Sequence, residues 1–165
     1  MHWFAPGASW RAQVSSLLAL CALLTVSFGS LAPLPARAGE SGETLYLLHC
    51  SGCHGPDGMG EHRADVPPLP PLVGNLLRDP QGRLYIVNVG GVVTSNLGYA
   101  DTAAVLNWLL QAFGATTLPP NTKDFDADEV AALRAHRRAD SVGLRRAIAT
   151  RLKAKGVKLA AYPWP

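Results

Sequence analysis

The longest apolar run in the chain spans Val14 to Phe28, broken only by small and hydroxylic side chains. Arg11 precedes it, Pro33 and Pro35 follow it, and Ala36-Arg37-Ala38 supplies a small-x-small site. This is the layout of a secretory signal peptide over residues 1–38, cleaved after Ala38. The competing reading is an uncleaved anchor, since Val14 to Ala32 is just long enough to cross a bilayer, but the apolar core proper is shorter and the prolines follow it directly. Cys21 lies inside the run behind Leu20, where a lipoprotein signal carries Gly or Ala, so it is discarded with the leader.

Beyond Ala38 the pattern is that of short helices separated by turn-formers. Ser41 can cap a helix reaching Cys50, with Glu43 favourable in its first turn, and the spacing puts Gly42, Tyr46 and Cys50 on one face. Gly55 to Gly60 is too rich in Gly and Pro for regular structure, and Pro67 to Pro71 reads as an extended, stiff segment. Around Arg83 to Val89 the apolar positions mix periods, and the local pattern alone permits a strand. Asp101 can cap a longer helix whose stripe is Val105, Trp108, Leu109, Ala112 and Phe113, stopped by Gly114. Gly114 to Phe125, with Pro119-Pro120, reads as a surface linker. Asp126 and Glu129 form a capping box for a helix through about Arg138, and Asp140 or Ser141 caps another ending at Gly156.

Charge divides the chain more sharply than the whole-chain value of +3 suggests. Residues 39–129 hold four Lys or Arg against eleven Asp or Glu, whereas residues 130–165 hold nine against Asp140 alone. Arg145, Arg146, Arg151, Lys153, Lys155 and Lys158 cluster on or just beyond the last helix. Three readings stay open for this basic arm: a solvated face, a docking surface for an acidic partner, or a contact with the anionic headgroups of a membrane.

The most specific chemistry lies in Cys50-Ser51-Gly52-Cys53-His54. Read as C-x-x-C-H, it is the attachment signal for a c-type haem, in which two thiols add to the two vinyl groups and the adjacent imidazole binds iron. Cysteines three apart on a helix lie one turn apart on the same face, so both sulfurs reach one edge of a porphyrin. A zinc site would need further ligands, and no Cys follows Cys53. A thioredoxin-like dithiol would sit in a βαβ pattern, which is not seen here. After Ala38 only Cys50 and Cys53 remain, which leaves no cysteine for a structural disulfide.

Gly42 to Gly58, GETLYLLHCSGCHGPDG, resembles the N-terminal haem helix of class I c-type cytochromes. In that family a small residue and an aromatic precede the first Cys by eight and four positions, which Gly42 and Tyr46 match. Pro70-Pro71-Leu72-Val73-Gly74 resembles the family's P-x-L-x-G. That likeness implies that the Pro70 carbonyl accepts a hydrogen bond from His54 and fixes its tautomer, against the plainer reading of a linker with no role at the iron. Val105, Trp108 and Leu109 match the last core helix, so Trp108 is expected to pack against Gly42 and Tyr46. The resemblance also favours a helix at 83–89, ended by Gly90-Gly91.

Covering about residues 40–114, the resemblance implies an all-α protein: a small class I cytochrome c fold in a haem domain at 39–114, with a linker and basic helical extension at 115–165. It implies one covalently attached haem c, with Cys50 and Cys53 holding the porphyrin and His54 as the proximal iron ligand. The expected function is single-electron transfer in the periplasm between a donor and an acceptor protein, rather than catalysis, and a quinoprotein dehydrogenase is one such donor. Export leaves nucleic acid out as a partner.

One feature departs from the family. Its members supply a Met to the far side of the iron from the loop before the last helix, and Val92-Val93-Thr94-Ser95-Asn96-Leu97 contains none. The sixth position is therefore open or water-bound, or taken by Met59, His62 or Asn96; His49 and His136 read as surface residues. This departure raises an alternative function, a haem protein that binds a diatomic ligand. A third reading makes the chain a fixed subunit of a larger oxidoreductase.

Overall fold

Helix α1, Gly42–His49, begins where Ser41 turns from extended backbone and accepts the Thr44 amide on its side chain at 3.1 Å. It is the first element of a computed structural model that describes residues 39–60, 66–137 and 139–161. The expected leader with its Ala38 cleavage site, Cys21 and His62 lie outside the described residues. Helix α2, Ser51–His54, follows across a break at Cys50. A 3-10 helix, Leu72–Arg78, then leads to α3, Gly82–Asn88, α4, Gly90–Thr94, and α5, Tyr99–Gly114. Two more helices, α6 at Ala127–Ala135 and α7 at Ser141–Ala154, complete the fold. No strand occurs among the described residues, as the all-α expectation required.

Helix α5 is the axis of the packing: α1, the 3-10 helix and α6 all lie against it. It therefore buries more than a stripe, with Ala103, Val105, Leu106, Leu109 and Leu110 all in the core. Ala112, expected in the stripe, is exposed. Burial of each Leu or Ile side chain is worth roughly 1.5–3 kcal/mol, so the crossings on α5 carry much of the stability.

Two of those crossings depend on glycine. A Cβ at Gly42 would stand 2.5 Å from the Ala104 carbonyl oxygen and 2.5 Å from the Trp108 Cβ, so α1 and α5 meet backbone to backbone. Gly74 and Gly114 do the same for the 3-10 helix and the end of α5, where a Cβ on Gly74 would lie 2.5 Å from the Gly114 oxygen. Gly114 is thus still helical and serves as a contact, where the sequence suggested only a stop.

Several local expectations need correction. Helix α5 starts at Tyr99 with Gly98 as its cap, so Asp101 sits within the first turn, where a carboxylate favours the helix dipole. Helix α3 ends because Val89 is extended; Gly90 and Gly91 open the next helix instead of closing this one. The stretch after Pro67 is not one stiff rod: the Pro70-Pro71 bond is cis, and the chain turns there into the 3-10 helix.

The larger correction concerns residues 115–165. They are helical as expected, with Asp126 and Asp140 capping α6 and α7 through the Glu129 and Gly143 amides, but they are not an appended arm. The chain from Gly39 onward forms one compact unit. Phe125, Val130, Leu144, Ile148 and Leu152 are buried with the haem-domain residues. Asn107 of α5 donates to the Phe125 carbonyl and accepts its amide, at 2.9 and 2.8 Å, so the expected surface linker is pinned at its end. Glu129 leaves the capping box half made, because its carboxylate takes Arg83 at 2.5 and 2.6 Å while Arg83 lies over the Phe125 ring.

Candidate haem site

The C-x-x-C-H motif sits at the joint between α1 and α2. The Cys50 amide still donates to Tyr46, and the amides of Cys53 and His54 donate back to Cys50, at 3.1 and 3.0 Å. The two thiols are therefore one turn apart, as the spacing required. Cys50 is half-buried against the core and Cys53 is exposed, and the two are not joined in a disulfide. Before any haem is attached, burial and then the neighbouring Cys53 push the Cys50 thiol up.

His54 is partly buried, and burial lowers its pKa, favouring the neutral imidazole that binds a metal. Its Nδ1 is buried with no hydrogen-bond partner among the described residues. The bond to the Pro70 carbonyl that the resemblance implied is thus not formed in this structure. The structure does bring Pro70 to the site: its Cδ lies 3.1 Å from where a Cβ on Gly58 would stand. The Leu69 amide donates to the Gly58 carbonyl at 2.9 Å, and the Thr117 hydroxyl holds the Pro71 carbonyl at 2.6 Å. With Nδ1 turned into the protein, Nε2 is the nitrogen presented for iron. Two thiols one turn apart and a neutral imidazole beside them match the donor set of a covalently held haem.

The loop after His54 is tied down by its own backbone and by one side chain that the sequence reading had used only for packing. The Gly60 amide donates to the His54 carbonyl at 2.7 Å, and the Tyr46 hydroxyl donates to the Gly55 carbonyl at 2.7 Å. Burial, with the charge of Asp57 behind it, pushes the Tyr46 phenol up to about 12, so it remains a donor across the working pH range. Its ring packs on Trp108 and Phe113 at 5.1 and 5.2 Å between centroids. Trp108 thus meets Gly42 and Tyr46 as expected. The signal for the hydroxyl's role was present in the sequence as Tyr in place of Phe.

Residues 39–88 match the family described as Cytochrome c. The chain is also 33% identical over 118 residues to the cytochrome c-552 of Thermus thermophilus, the match covering 61% of this chain and 78% of that protein. The chain belongs to the cytochrome c family. Its haem is therefore haem c, covalently bound, and the family makes it a monohaem electron carrier.

The far side of the iron remains as unusual in this cytochrome as its sequence. Met59 is 52% exposed, with its amide on the Asp57 side chain, and belongs to the same loop as the His54 carbonyl contact. Asn96 is exposed at φ +59. Neither side chain is fixed by packing. The segment expected to be a loop begins inside α4, which runs to Thr94; the two short helices before Asn96 are held from the C-terminal half, where Arg134 of α6 donates to the Val92 carbonyl of α4 at 3.0 Å and Asn88 of α3 donates to the Leu133 carbonyl at 3.0 Å.

Proposed function

We propose that this cytochrome is an exported, periplasmic carrier that takes one electron at a time from a donor protein and passes it to an acceptor, with quinoprotein dehydrogenases the donor class. When bound, the haem supplies a one-electron couple between ferrous and ferric iron. The residues of the chain hold and shield it. Cys50 and Cys53 anchor one edge, His54 presents Nε2, and Tyr46 with Gly60 fixes the loop behind the imidazole. The observation that carries the reading is the exposure of Cys53, together with that of Leu47 and Leu48 on the preceding helix, which are 48% and 65% exposed. An apolar, accessible thioether edge is where a partner's redox centre can approach. Export follows from the chemistry, since c-type haem is attached outside the cytoplasm. Stopped-flow mixing of the reduced quinoprotein with the oxidised cytochrome tests it: haem reduction that saturates with partner concentration is expected, and no reduction beyond a small-molecule control overturns the donor assignment.

A second reading, binding of a diatomic ligand, is favoured by one observation: neither Met59 nor Asn96 is packed into place for the sixth position. Carbon monoxide added to the ferrous protein distinguishes the two.

A further inference from the structure

The basic residues of the C-terminal region fall into two groups. Arg151 is paired with Asp79 at 2.7 Å and also reaches Gln81. Arg145 is buried, donates to the Ala160 carbonyl and faces the Tyr85 ring. These two serve the fold. Arg146, Lys153, Lys155 and Lys158 are exposed and make no ion pair among the described residues.

Three of these unpaired cations, Arg146, Lys153 and Lys158, line an open cleft of about 580 Å³ between α7 and the segment that follows it. The rest of its lining is mostly apolar, with Leu72, Val157 and Leu159 beside the buried Arg145, and no carboxylate side chain among the described residues lines it. The segment is held in place as the far wall: Asn75 donates to the Lys158 carbonyl at 2.9 Å, and the Val157 amide donates to Leu152 at 2.9 Å. The volume greatly exceeds the roughly 30 Å³ of one water, so the cleft suits a stretch of chain better than a single small anion. Helix α7 packs on α3, and no residue of α1 or α2 lines the cleft, so the cleft is not built from the helices that carry the two cysteines.

We propose that this cleft receives an acidic, partly apolar peptide segment of a redox partner, its carboxylates on Arg146, Lys153 and Lys158 and its apolar side chains on Leu72, Val157 and Leu159. The inference rests on the carrier reading above and gives that carrier a second contact, which tethers the partner while the haem edge stays free. Like-signed charge left unpaired around a concave apolar floor attracts an oppositely charged chain at long range and loses that attraction as salt rises.

Titration of a short capped peptide alternating Glu and Leu into the intact holoprotein at low ionic strength, followed by calorimetry, tests the proposal. Binding is expected, weakened about tenfold or more by Arg146→Glu with Lys153→Glu, and by Lys158→Glu alone to a lesser degree. Arg137→Glu, an exposed cation at the end of α6, should leave it intact. The optical spectrum and melting of each variant should match the parent, so a failure of the carrier assignment shows in the haem spectrum and a failure of the cleft shows in the titration. The proposal is overturned by no binding at low salt, by equal loss in Arg137→Glu, by binding of phosphatidylglycerol vesicles without binding of the peptide, or by self-association that the cleft variants abolish.

Discussion

The Tyr46 hydroxyl donates to the Gly55 carbonyl at 2.7 Å, so the residue one turn before the first cysteine holds the residue just after the iron-binding histidine. Removing that hydroxyl leaves a buried carbonyl without its donor. Tyr46→Phe should lower stability by about 1 kcal/mol, read from the denaturant midpoint of the holoprotein. The ring stays in its contact with Trp108 and Phe113, so an unchanged midpoint means the hydroxyl bond is replaced by water.

The α1–α5 crossing gives a harder test. At Gly42 a Cβ meets the Ala104 carbonyl and the Trp108 Cβ, each at 2.5 Å. Backbone cannot step aside as a flexible side chain can, so Gly42→Ala should cost about 3 kcal/mol, at the upper end of overpacking effects. Haem retention should fall with it, because α1 carries Cys50. A variant as stable as the parent would show that the two helices are free to separate.

Much of this was legible in the sequence, and the misses have physical reasons. Ser41, Gly42, Tyr46 and Trp108 could be placed because caps and face spacing are local properties. Helix α3 was ambiguous because Leu84, Tyr85, Ile86 and Val87 are surrounded on several sides, so no single period appears. Residues 115–165 looked like a separate arm because the family resemblance ends near Gly114 and the charge turns basic beyond Glu129. Three contacts that join them to the rest, Arg83 with Glu129, Arg151 with Asp79 and Asn107 with Phe125, are long-range pairings that no local pattern reveals. Composition assigned Arg145, Arg146 and Arg151 to one basic surface, and only geometry separates the structural pair from the free cation.

The Asp79–Arg151 pair makes stability depend on pH. Asp79 is buried, and the Arg151 guanidinium holds its carboxyl below the usual range, with the Gln81 amide adding to the effect. A carboxylate depressed in the folded state stabilises above its unfolded pKa, and that contribution is lost as pH falls through the folded value. The parent should therefore be more stable than Asp79→Asn by about 1–3 kcal/mol near neutral pH, with the gap closing only below the ordinary Asp range. Urea melts at several pH values check this; a gap independent of pH would mean the carboxylate's charge plays no part.

The contact of α6 with α4, one turn ahead of Asn96, predicts a coupling between the C-terminal half and the haem. Arg134 reaches the Val92 carbonyl from a half-buried position, where burial lowers its pKa. Arg134→Met keeps the length of the side chain and removes the donor. It should cost about 1.5–3 kcal/mol, as for a hydrogen bond from a charged group, and should change the rate at which the ferrous protein takes up carbon monoxide. A stability loss with an unaltered rate would confine Arg134 to packing.

The sixth position decides between the two functional readings. A thioether ligand raises the reduction potential of a haem relative to an open or oxygen-ligated site, and the segment from Val92 to Leu97, the end of α4 and the turn after it, offers none. Met59 and Asn96 are both exposed, so either would have to leave solvent and lose side-chain freedom to bind iron, at a cost of about 1–2 kcal/mol for Met. The ferrous protein is therefore expected to bind carbon monoxide readily, and the ferric protein to lack the far-red band of sulfur-to-iron charge transfer. If that band is present, Met59→Ala should abolish it and lower the potential, and the position belongs to Met59. If carbon monoxide is refused and the band is absent, a nitrogen or oxygen donor is firmly held, and His62→Ala and Asn96→Ala identify it by which one restores the reaction. Only a freely reactive ferrous iron, unchanged in all three variants, fits an open site, and it would favour ligand binding over pure electron carriage.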